Sequence, residues 1–375
     1  MQAQNVLPSK QLENVKVLLA KDASEALVEV SGPYYIFNPK DHSRITSGLL
    51  GKRFLVRSTA QGIKWGETFL DIHQISIVPR SEDSSLLING VQYDGAISVF
   101  GNNGKIHVVN ELSIEKFVRS ILNKEFFNAL PREVMSALAI LCRTNTSFRA
   151  LNEGAFWHLD ANAIGYVGAF LHTPKSLVDK VISATKGLIL VNKKNGTNLP
   201  FPATWTEHSA GATAAFSAIF RKNIANDLQG VVSQYALQDR PEVRWQCSIT
   251  KEDLAARCGL NDITSIELFI DPSSKKSYAA RLRSTSECKD LSFFELQHLI
   301  GKDLLQSNDL SVAQEASYFI FNGYGKGHGV GLCLYSATMM ASQGKNALTI
   351  LQQFYPDTAL YNISNMPQTP LLQPL

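Results

Sequence analysis

Residues 105–125, KIHVVNELSIEKFVRSILNKE, change their hydrophobic period from two to 3.6 after Asn110. Beyond that point the apolar residues follow one helix face, and they are Ile114, Phe117, Val118, Ile121 and Leu122. The next position on this face is Glu125, where burial would keep a proton available near neutral pH, as a general acid requires. The alternative is a helix that frays at Asn123 and leaves Glu125 in solvent.

The residues before this segment predict a β-rich region from about 15 to 110. Short β-branched and aromatic runs are broken by turn residues, as at 54–56, 75–77 and 86–88. The clearest element is a hairpin in which residues 101–104, Gly-Asn-Asn-Gly, join the apolar runs 96–100 and 105–109.

The residues after it predict a second helix, which begins at Pro131 and continues through Cys142. This helix is apolar nearly all round, so we expect it to be buried. Arg143 follows directly, and its guanidinium needs an acceptor because it cannot lose its charge. Glu125 or a bound ligand could supply that acceptor. Alternatively, Arg143 belongs to a structural ion pair that holds two helices together.

The remaining chain predicts shorter helices and strands. A third helix is expected from Thr173-Pro174 to Lys186-Gly187, followed by a strand at 188–191 and a turn at Asn195-Gly196. A last helix is expected through Met339 and Met340 to Gly344.

We therefore expect an α+β protein in which a β-rich region precedes a mixed helix and strand catalytic region with a buried helix pair. The predicted regions are an N-terminal extension at 1–14, the β-rich region at 15–110, the helix pair with a Ser-Ala-Gly loop at 111–224, a mixed α/β segment at 225–320, and a Gly-His-Gly loop with C-terminal helices at 321–375.

Composition excludes several classes of protein. The 375 residues, 45% of them hydrophobic, suffice for one large or two ordinary globular domains. The net charge of +3 is too small and too evenly spread for a nucleic-acid binder. No apolar run reaches the length of about 18 residues that predicts a membrane span. The start, MQAQNVLPSK, does not resemble a signal peptide, so either the protein is cytosolic or a leader has been removed.

Cysteines and histidines give no metal-site pattern. Cys142 and Cys333 stand in apolar runs and are expected to be core thiols, while one disulfide among Cys247, Cys258 and Cys288 stays open. No ligand-pair spacing joins the histidines, which include His158, His172, His208 and His328. We expect no bound metal.

Two loops combine small residues with polar ones. Residues 206–213 read TEHSAGAT, and residues 323–331 read GYGKGHGVG, with five glycines at alternate positions that allow close backbone approach. The second loop lacks the ending of a phosphate-binding loop. His328 could bind substrate or move protons, or it could be a structural histidine where two chain segments cross tightly. Ser209 follows His208 directly, which disfavours a serine hydrolase because adjacent residues rarely form a working dyad.

Three of these segments, in this order, resemble the stage II sporulation protein D family of peptidoglycan lytic transglycosylases and amidase enhancers. Residues 110–117, Glu125 and the run 137–144 look like the family's helix pair, with its catalytic glutamate and its Arg-Thr helix. Residues 208–213 are similar to the family's Ser-Gly-Gly-x-Thr segment, and residues 325–331 to its Gly-His-Gly signature. The resemblance covers roughly residues 15–361.

Some positions depart from the family pattern. Residues 334–337, Leu-Tyr-Ser-Ala, replace the usual Gln-x-Gly-Ala, and Ala210 replaces a glycine. Some family members hold a zinc ion through Cys and His residues after the Arg-Thr helix. Residues 150–173 contain His158 and His172 but no cysteine, so we expect no zinc here.

The resemblance implies cleavage of the MurNAc–GlcNAc bond in peptide-stripped glycan strands, which leaves 1,6-anhydroMurNAc ends. Glu125 would be the single acid/base, without a cofactor. The implied substrate-binding residues are Arg143, His208, Ser209, Gly211, Thr213, Gly327, His328 and Gly329. The resemblance also implies an extracytoplasmic protein whose signal segment is absent from this chain, and an N-acetylmuramoyl-L-alanine amidase as partner. The alternative is a non-catalytic amidase enhancer or glycan-binding protein of the same family.

Overall fold

The computed structural model describes residues 13–81, 83–126, 130–152, 156–169, 176–193, 198–222, 228–237 and 241–363. The chain divides into two compact units. Unit one comprises residues 1–129, 142–190 and 360–375, and unit two comprises residues 130–141 and 191–359. Helices and strands occur in both units, which confirms the predicted α+β class.

Unit one contains two sheets that enclose an apolar core. The strands are β1 (Asn14–Ala23), β2 (Ala26–Ser31), β3 (Tyr34–Phe37), β4 (Arg44–Gly48), β5 (Lys52–Thr59), β6 (Gly62–Trp65), β7 (Glu67–Leu70), β8 (Gln74–Pro79), β9 (Ser85–Ile88), β10 (Val91–Tyr93), β11 (Ala96–Asn102) and β12 (Lys105–Ser113). One sheet has the order β10-β9-β2-β5-β6-β7. The other has the order β1-β12-β11-β8-β3-β4 and gains a short parallel strand beside β1, described below as β13. Alternate residues such as Val28, Ile36 and Ile77 are fully buried between them.

The predicted hairpin is confirmed, with a shorter loop than expected. β11 and β12 pair from Ala96 with Glu111 to Asn102 with Lys105. The connection is therefore only Asn103-Gly104, and both residues have positive φ, 48° and 77°. Asn-Gly favours such a two-residue turn because its twist matches that of the paired strands. The predicted strands at 54–56, 75–77 and 86–88 lie within β5, β8 and β9.

The first helix begins shortly after the hydrophobic period of the sequence changes from two to 3.6. The helices here are α1 (Ile114–Glu125) and α2 (Arg132–Asn152), and they are followed by β13 (Leu159–Asp160), α3 (Ala161–Ile164), α4 (Leu177–Ala184) and β14 (Leu188–Asn192). The Ser113 hydroxyl accepts a hydrogen bond from the Lys116 N–H and caps α1. The second helix continues well past Cys142, where we expected it to end. Residues 132–141 belong to unit two and the rest of α2 to unit one.

Unit two contains short sheets and short helices. Its elements are β15 (Trp205–Thr206), α5 (Phe216–Phe220), β16 (Arg244–Thr250), α6 (Lys251–Cys258), β17 (Ser265–Ile270), β18 (Ser277–Arg283), β19 (Cys288–Ser292), α7 (Phe293–Ile300), β20 (Leu310–Gln314), β21 (Tyr318–Tyr324), β22 (Leu332–Cys333), α8 (Leu334–Ser342) and α9 (Ala347–Phe354). The last strand, β23 (Thr358–Asn362), begins in unit two, and its residues from 360 onward belong to unit one. The sheets β16-β21-β20 and β17-β18-β19 share a core with α6 and α7. β15 and β22 pair in parallel.

Several smaller predictions have clear outcomes. The third helix is present as α4, capped by Ser176, whereas Thr173-Pro174 and the turn at Asn195-Gly196 lie outside the described residues. The last predicted helix is α8, which ends just before Gly344. All five cysteines are free, and Cys142 and Cys333 are buried as expected. Within the described part of the chain, no helix has the length and apolar character that crossing a membrane requires.

Candidate functional site

Glu125 is the last residue of α1, and its side chain is exposed. The expectation of a buried acid is therefore wrong. The alternative is correct in leaving Glu125 in solvent but wrong in ending the helix at Asn123, because α1 continues to Glu125. The buried face of α1 ends at Leu122, one turn earlier, because the helical period continues beyond the last packing partner. The carboxylate of Glu125 is thus accessible to a large ligand.

The turn that carries Glu125 is nevertheless held in place. Lys124 donates a hydrogen bond to the carbonyl of Gly165, and the hydroxyl of Ser120 donates to the carbonyl of Gly168. Arg119 pairs with Asp179 of α4 at 3.0 Å. Ser120 is buried, although the sequence period places it on the polar face, because its hydroxyl satisfies a loop carbonyl. These contacts fix α1 up to the residue before Glu125.

Arg143 is fully buried and pairs with Glu115, not with Glu125. Its Nε and Nη2 donate to the two carboxylate oxygens of Glu115 at 2.9 and 2.8 Å, and its Nη1 donates to the Leu188 carbonyl at 2.8 Å. The N–H of Gly187 donates to Glu115 at 3.0 Å. Pairing with Glu125 was therefore a wrong expectation, because Arg143 faces the first turn of α1 and Glu125 lies in the last. The structural ion pair between two helices is what the structure contains.

Thr144 continues the same arrangement. Its hydroxyl accepts a hydrogen bond from the Leu190 N–H at 2.8 Å, so Arg143 and Thr144 together tie α2 to β14. Beside them, burial raises the pKa of the Cys142 thiol to about 12, an effect that Arg143 opposes and that Glu125 and Glu115 strengthen. Arg143 and Thr144, which resemble the family's Arg-Thr motif, therefore connect α2 to β14 within unit one.

The two small-residue loops lie against each other in unit two. We name residues 206–214 the first loop and residues 325–331 the second loop. The backbones of His208 and Lys326 exchange two hydrogen bonds of 3.0 Å, and the N–H of Ala214 donates to the carbonyl of Gly329 at 2.8 Å. A Cβ at Gly327 would lie 2.4 Å from the hydroxyl oxygen of Thr206. Glycine is favoured there because the Thr206 side chain occupies the space of a Cβ and because Gly327 has a φ of 100°, which strains other residues.

His328 lies in the second loop with a neutral, oriented ring. Its Nδ1 accepts a hydrogen bond from the Val330 N–H at 3.1 Å, which leaves the proton on Nε2. The ring edge contacts Phe220, with centroids 5.3 Å apart. Burial lowers the pKa of His328 to about 4. The ring can therefore donate one hydrogen bond through Nε2, but it is a poor general acid at neutral pH.

The other predicted binding residues differ in their access to solvent. His208 is buried, with Nδ1 accepting from the Ala210 N–H at 3.2 Å and its ring 5.0 Å from that of Tyr335. Thr213 is occupied by backbone partners at Val231. Among the residues that the structure describes, the buried hydroxyl of Ser209 has no hydrogen-bond partner, and a Cβ at Gly211 would have no neighbour within 4 Å. The structure thus brings seven predicted residues together in unit two, while Glu125 and Arg143 lie in unit one.

Three polar residues at these loops were missed by sequence reasoning. Lys276, Asn308 and Asp309 are buried in unit two, and Lys276 Nζ donates to the carbonyl of Ser209 at 2.8 Å. No sequence pattern marks them, since Lys276 follows another lysine and Asn308-Asp309 resembles an ordinary turn. Only the tertiary structure places them beneath the loops.

A small, largely apolar cleft opens beside the two loops. Its lining includes Phe201, Thr213, Phe216, Val330, Phe354 and Tyr355. In the described residues, no three His, Cys, Asp or Glu side chains come together as metal ligands. His158 accepts a backbone hydrogen bond from Lys16 at 3.2 Å through Nδ1, and His172 lies outside the described residues.

Residues 102–192 match the family model described as SpoIID, Stage II sporulation protein. The match includes α1, Glu125, Arg143 and β14. The match confirms the resemblance to this family over residues 102–192. The chain is therefore an α+β protein with a SpoIID region. The match also supports a role related to the cell wall.

Three curated proteins are also similar to the chain over different lengths. An uncharacterised protein of Chlamydia pneumoniae is 33% identical over 179 residues, which cover 47% of this chain and 65% of that protein. An uncharacterised protein of Brachyspira hyodysenteriae is 25% identical over 349 residues, 91% of each chain. The amidase enhancer of Bacillus subtilis is 35% identical over 66 residues, 18% of this chain and 9% of that protein. The chain therefore spans slightly less than two thirds of the Chlamydia relative.

Proposed function

We propose that the protein is a peptidoglycan lytic transglycosylase in which Glu125 is the single acid/base. The observation that carries the proposal is an exposed carboxylate at the end of a helix whose last turn is held by Lys124 and Ser120. The residue lies within the SpoIID match. A polymer can reach this carboxylate, and the fixed helix gives it a defined position.

The reaction requires only one carboxylate. Glu125, protonated, donates its proton to the glycosidic oxygen as the bond from C1 of MurNAc to that oxygen breaks. The 6-hydroxyl of the same MurNAc then attacks C1, and its proton returns to Glu125. The product is a 1,6-anhydro ring, and no water is consumed.

Arg143 acts in this proposal through the helix and not on the substrate. Its ion pair with Glu115 fixes the first turn of α1, and the helix carries Glu125 at its other end. The first loop and the second loop supply glycan-binding groups, of which the Nε2–H of His328 is the clearest donor. We place the protein outside the cytoplasm, where its substrate is found.

Purified protein incubated with peptide-free glycan strands should generate new 1,6-anhydro ends that mass spectrometry detects. Glu125→Gln keeps the size of the side chain but removes the proton donor, and we expect a rate at least about 100-fold lower. Glu25→Gln, at another exposed glutamate of unit one, should retain the full rate. Release of anhydro ends by Glu125→Gln at the wild-type rate would refute the assignment.

The second candidate is a non-catalytic amidase enhancer, and the match to the Bacillus subtilis amidase enhancer favours it. Leu334 and Ser336 also favour an enhancer, because they replace the Gln and Gly of the family pattern. The hydroxyl of Ser336 is buried against that of Ser233 at 2.8 Å and is unable to face a glycan. An enhancer would generate no anhydro ends but would increase peptide release by an N-acetylmuramoyl-L-alanine amidase. If neither cleavage, glycan binding nor amidase stimulation occurred, the protein would be a structural scaffold.

A further inference from the structure

A buried lysine lies beneath both loops of unit two. Lys276 is 1% exposed, and its ammonium donates to the Ser209 carbonyl at 2.8 Å and to the Asp309 carboxylate at 3.1 Å. Burial lowers the pKa of Lys276, while the charge of Asp309 opposes that change. Lysine is almost never fully buried unless it is paired. Replacing a buried ion pair with apolar side chains of similar volume often leaves a protein equally or more stable. The pair of Lys276 and Asp309 therefore indicates a role other than stability.

The lysine side chain also supports the second loop. A Cβ at Gly329 would lie 2.4 Å from Cδ and Cε of Lys276, so the methylene chain is packed directly against that backbone. Asn308, the neighbour of Asp309, donates through Nδ2 to the carbonyl of His328 at 3.0 Å. Lys276 and the 308–309 segment therefore contact Ser209 in the first loop, and His328 and Gly329 in the second.

The first loop contains a residue in a left-handed conformation next to the carbonyl that Lys276 contacts. Ala210 has a φ of 51°, a left-handed conformation that disfavours a residue with a Cβ by about 1–2 kcal/mol. Such a conformation persists only where surrounding contacts determine it. The Ser209 carbonyl that precedes Ala210 is the one that accepts the hydrogen bond from Lys276. A hydrogen bond from a charged donor is stronger than a neutral one, so the ammonium can hold this peptide group.

We propose that Lys276 is a positioning residue, which holds the first loop and the second loop in the relative position that glycan binding requires without touching the glycan. This inference rests on the proposed function for the glycan, but the holding of the loops can be tested without it. Asp309 compensates the charge, and Asn308 transmits the same support to His328.

Hydrogen exchange measured by mass spectrometry on the full chain tests whether Lys276 holds the two loops. In Lys276→Met/Asp309→Leu, which removes both charges and keeps the volume, amides of residues 206–214 and 325–331 should exchange about tenfold faster. The core around β16 and α7 should be unchanged. Arg281→Gln/Asp290→Asn removes an exposed ion pair of the same unit and should leave the loops as in the wild type. Unchanged loop exchange in the double variant would overturn the proposal.

If the double variant does not fold, Lys276→Met/Asp309→Asn replaces it, because it also removes the ammonium that holds the Ser209 carbonyl but keeps a polar side chain of the same size at position 309. Faster exchange confined to the two loops supports the proposal, and wild-type exchange there overturns it.

Glycan affinity tests whether the position of the two loops matters for glycan binding. In a Glu125→Gln background, which prevents cleavage, the double variant should bind peptide-free strands with a Kd about tenfold higher, equivalent to about 1.4 kcal/mol. The Arg281/Asp290 control should bind as its parent does. Faster loop exchange with unchanged Kd would overturn the link to binding. If the wild-type chain neither binds nor cleaves glycan, the proposed function fails, while the exchange result still decides whether Lys276 holds the loops.

Discussion

The guanidinium of Arg143 and the carboxylate of Glu115 form a two-point ion pair, with N–O distances of 2.9 and 2.8 Å. Arg143 is fully buried, whereas the Glu115 side chain is 23% exposed. The pair joins α1 to α2, and Leu188 and Gly187 extend it to the start of β14. The arginine next to the buried run therefore holds α1, the helix that ends in Glu125.

We expect Glu115→Gln to lower the free energy of unfolding by about 3–5 kcal/mol, because removing one partner leaves a buried guanidinium without its counter-charge. Arg143→Met should cost less, since the remaining carboxylate is partly exposed. Urea unfolding followed by circular dichroism measures both. Asp290→Asn, at the exposed pair with Arg281, is the control and should cost at most about 1 kcal/mol. Equal stability of Glu115→Gln and the control would contradict a structural role for the pair.

The sequence could predict the β-rich region, the hairpin and α1 because each depends on short-range regularities. Asn103-Gly104 has few conformations available other than a tight turn between strands, and the apolar face of α1 follows the helical period up to Leu122. The period continues to Glu125, but burial depends on which elements pack there. A sequence pattern therefore gave the right helix and the wrong environment for its last residue.

The candidate site was predictable in part for the same reason. Glycines at alternate positions indicated a close approach of two chain segments, and Gly327 and Thr206 make that approach. The partner of Arg143 was not predictable, because the neighbouring sequence before it offers four glutamates at unknown positions in space, Glu111, Glu115, Glu125 and Glu133. Lys276 had no local signal at all, since its burial arises from contacts with Ser209 and Asp309 that are distant in sequence.

The imidazole of His328 makes stability depend on pH. Its pKa is about 4 in the folded chain against 6.5 for an unperturbed histidine. As the pH falls from about 7 to 4, the unfolded chain takes up a proton before the folded chain does, so the free energy of unfolding decreases. For this group alone the loss approaches about 3 kcal/mol. Urea unfolding at pH 7 and pH 4.5 should show a loss in the wild type that is smaller in His328→Gln. An identical loss in both proteins would show that His328 titrates normally.

Thiol reactivity should distinguish the five cysteines. Cys288 is exposed, whereas the other four are buried, and burial raises the pKa of Cys142, Cys247 and Cys258. Because the thiolate is the reactive form, iodoacetamide under native conditions should modify Cys288 first. Peptide mass spectrometry identifies the modified residue, and Cys288→Ser should remove nearly all rapid labelling. Rapid modification of Cys142 in the folded protein would contradict its position beside Arg143 in α2.

Ala210 should tolerate replacement by glycine better than its neighbour Ala212. Ala210 has a φ of 51°, and Ala212 is not among the residues with positive φ. Glycine relieves about 1–2 kcal/mol of left-handed strain at Ala210, whereas at both positions it makes the unfolded chain more flexible by about 0.4–1 kcal/mol. Loss of the buried Ala210 methyl group offsets part of the gain, by about 0.8 kcal/mol.

We therefore expect Ala210→Gly to unfold with a free energy close to that of the wild type, and Ala212→Gly to be less stable by up to about 1 kcal/mol. Parallel urea titrations compare the two variants directly. If Ala210→Gly were the less stable variant, the first loop would not require its left-handed residue, and the strain that Lys276 is proposed to hold would be absent.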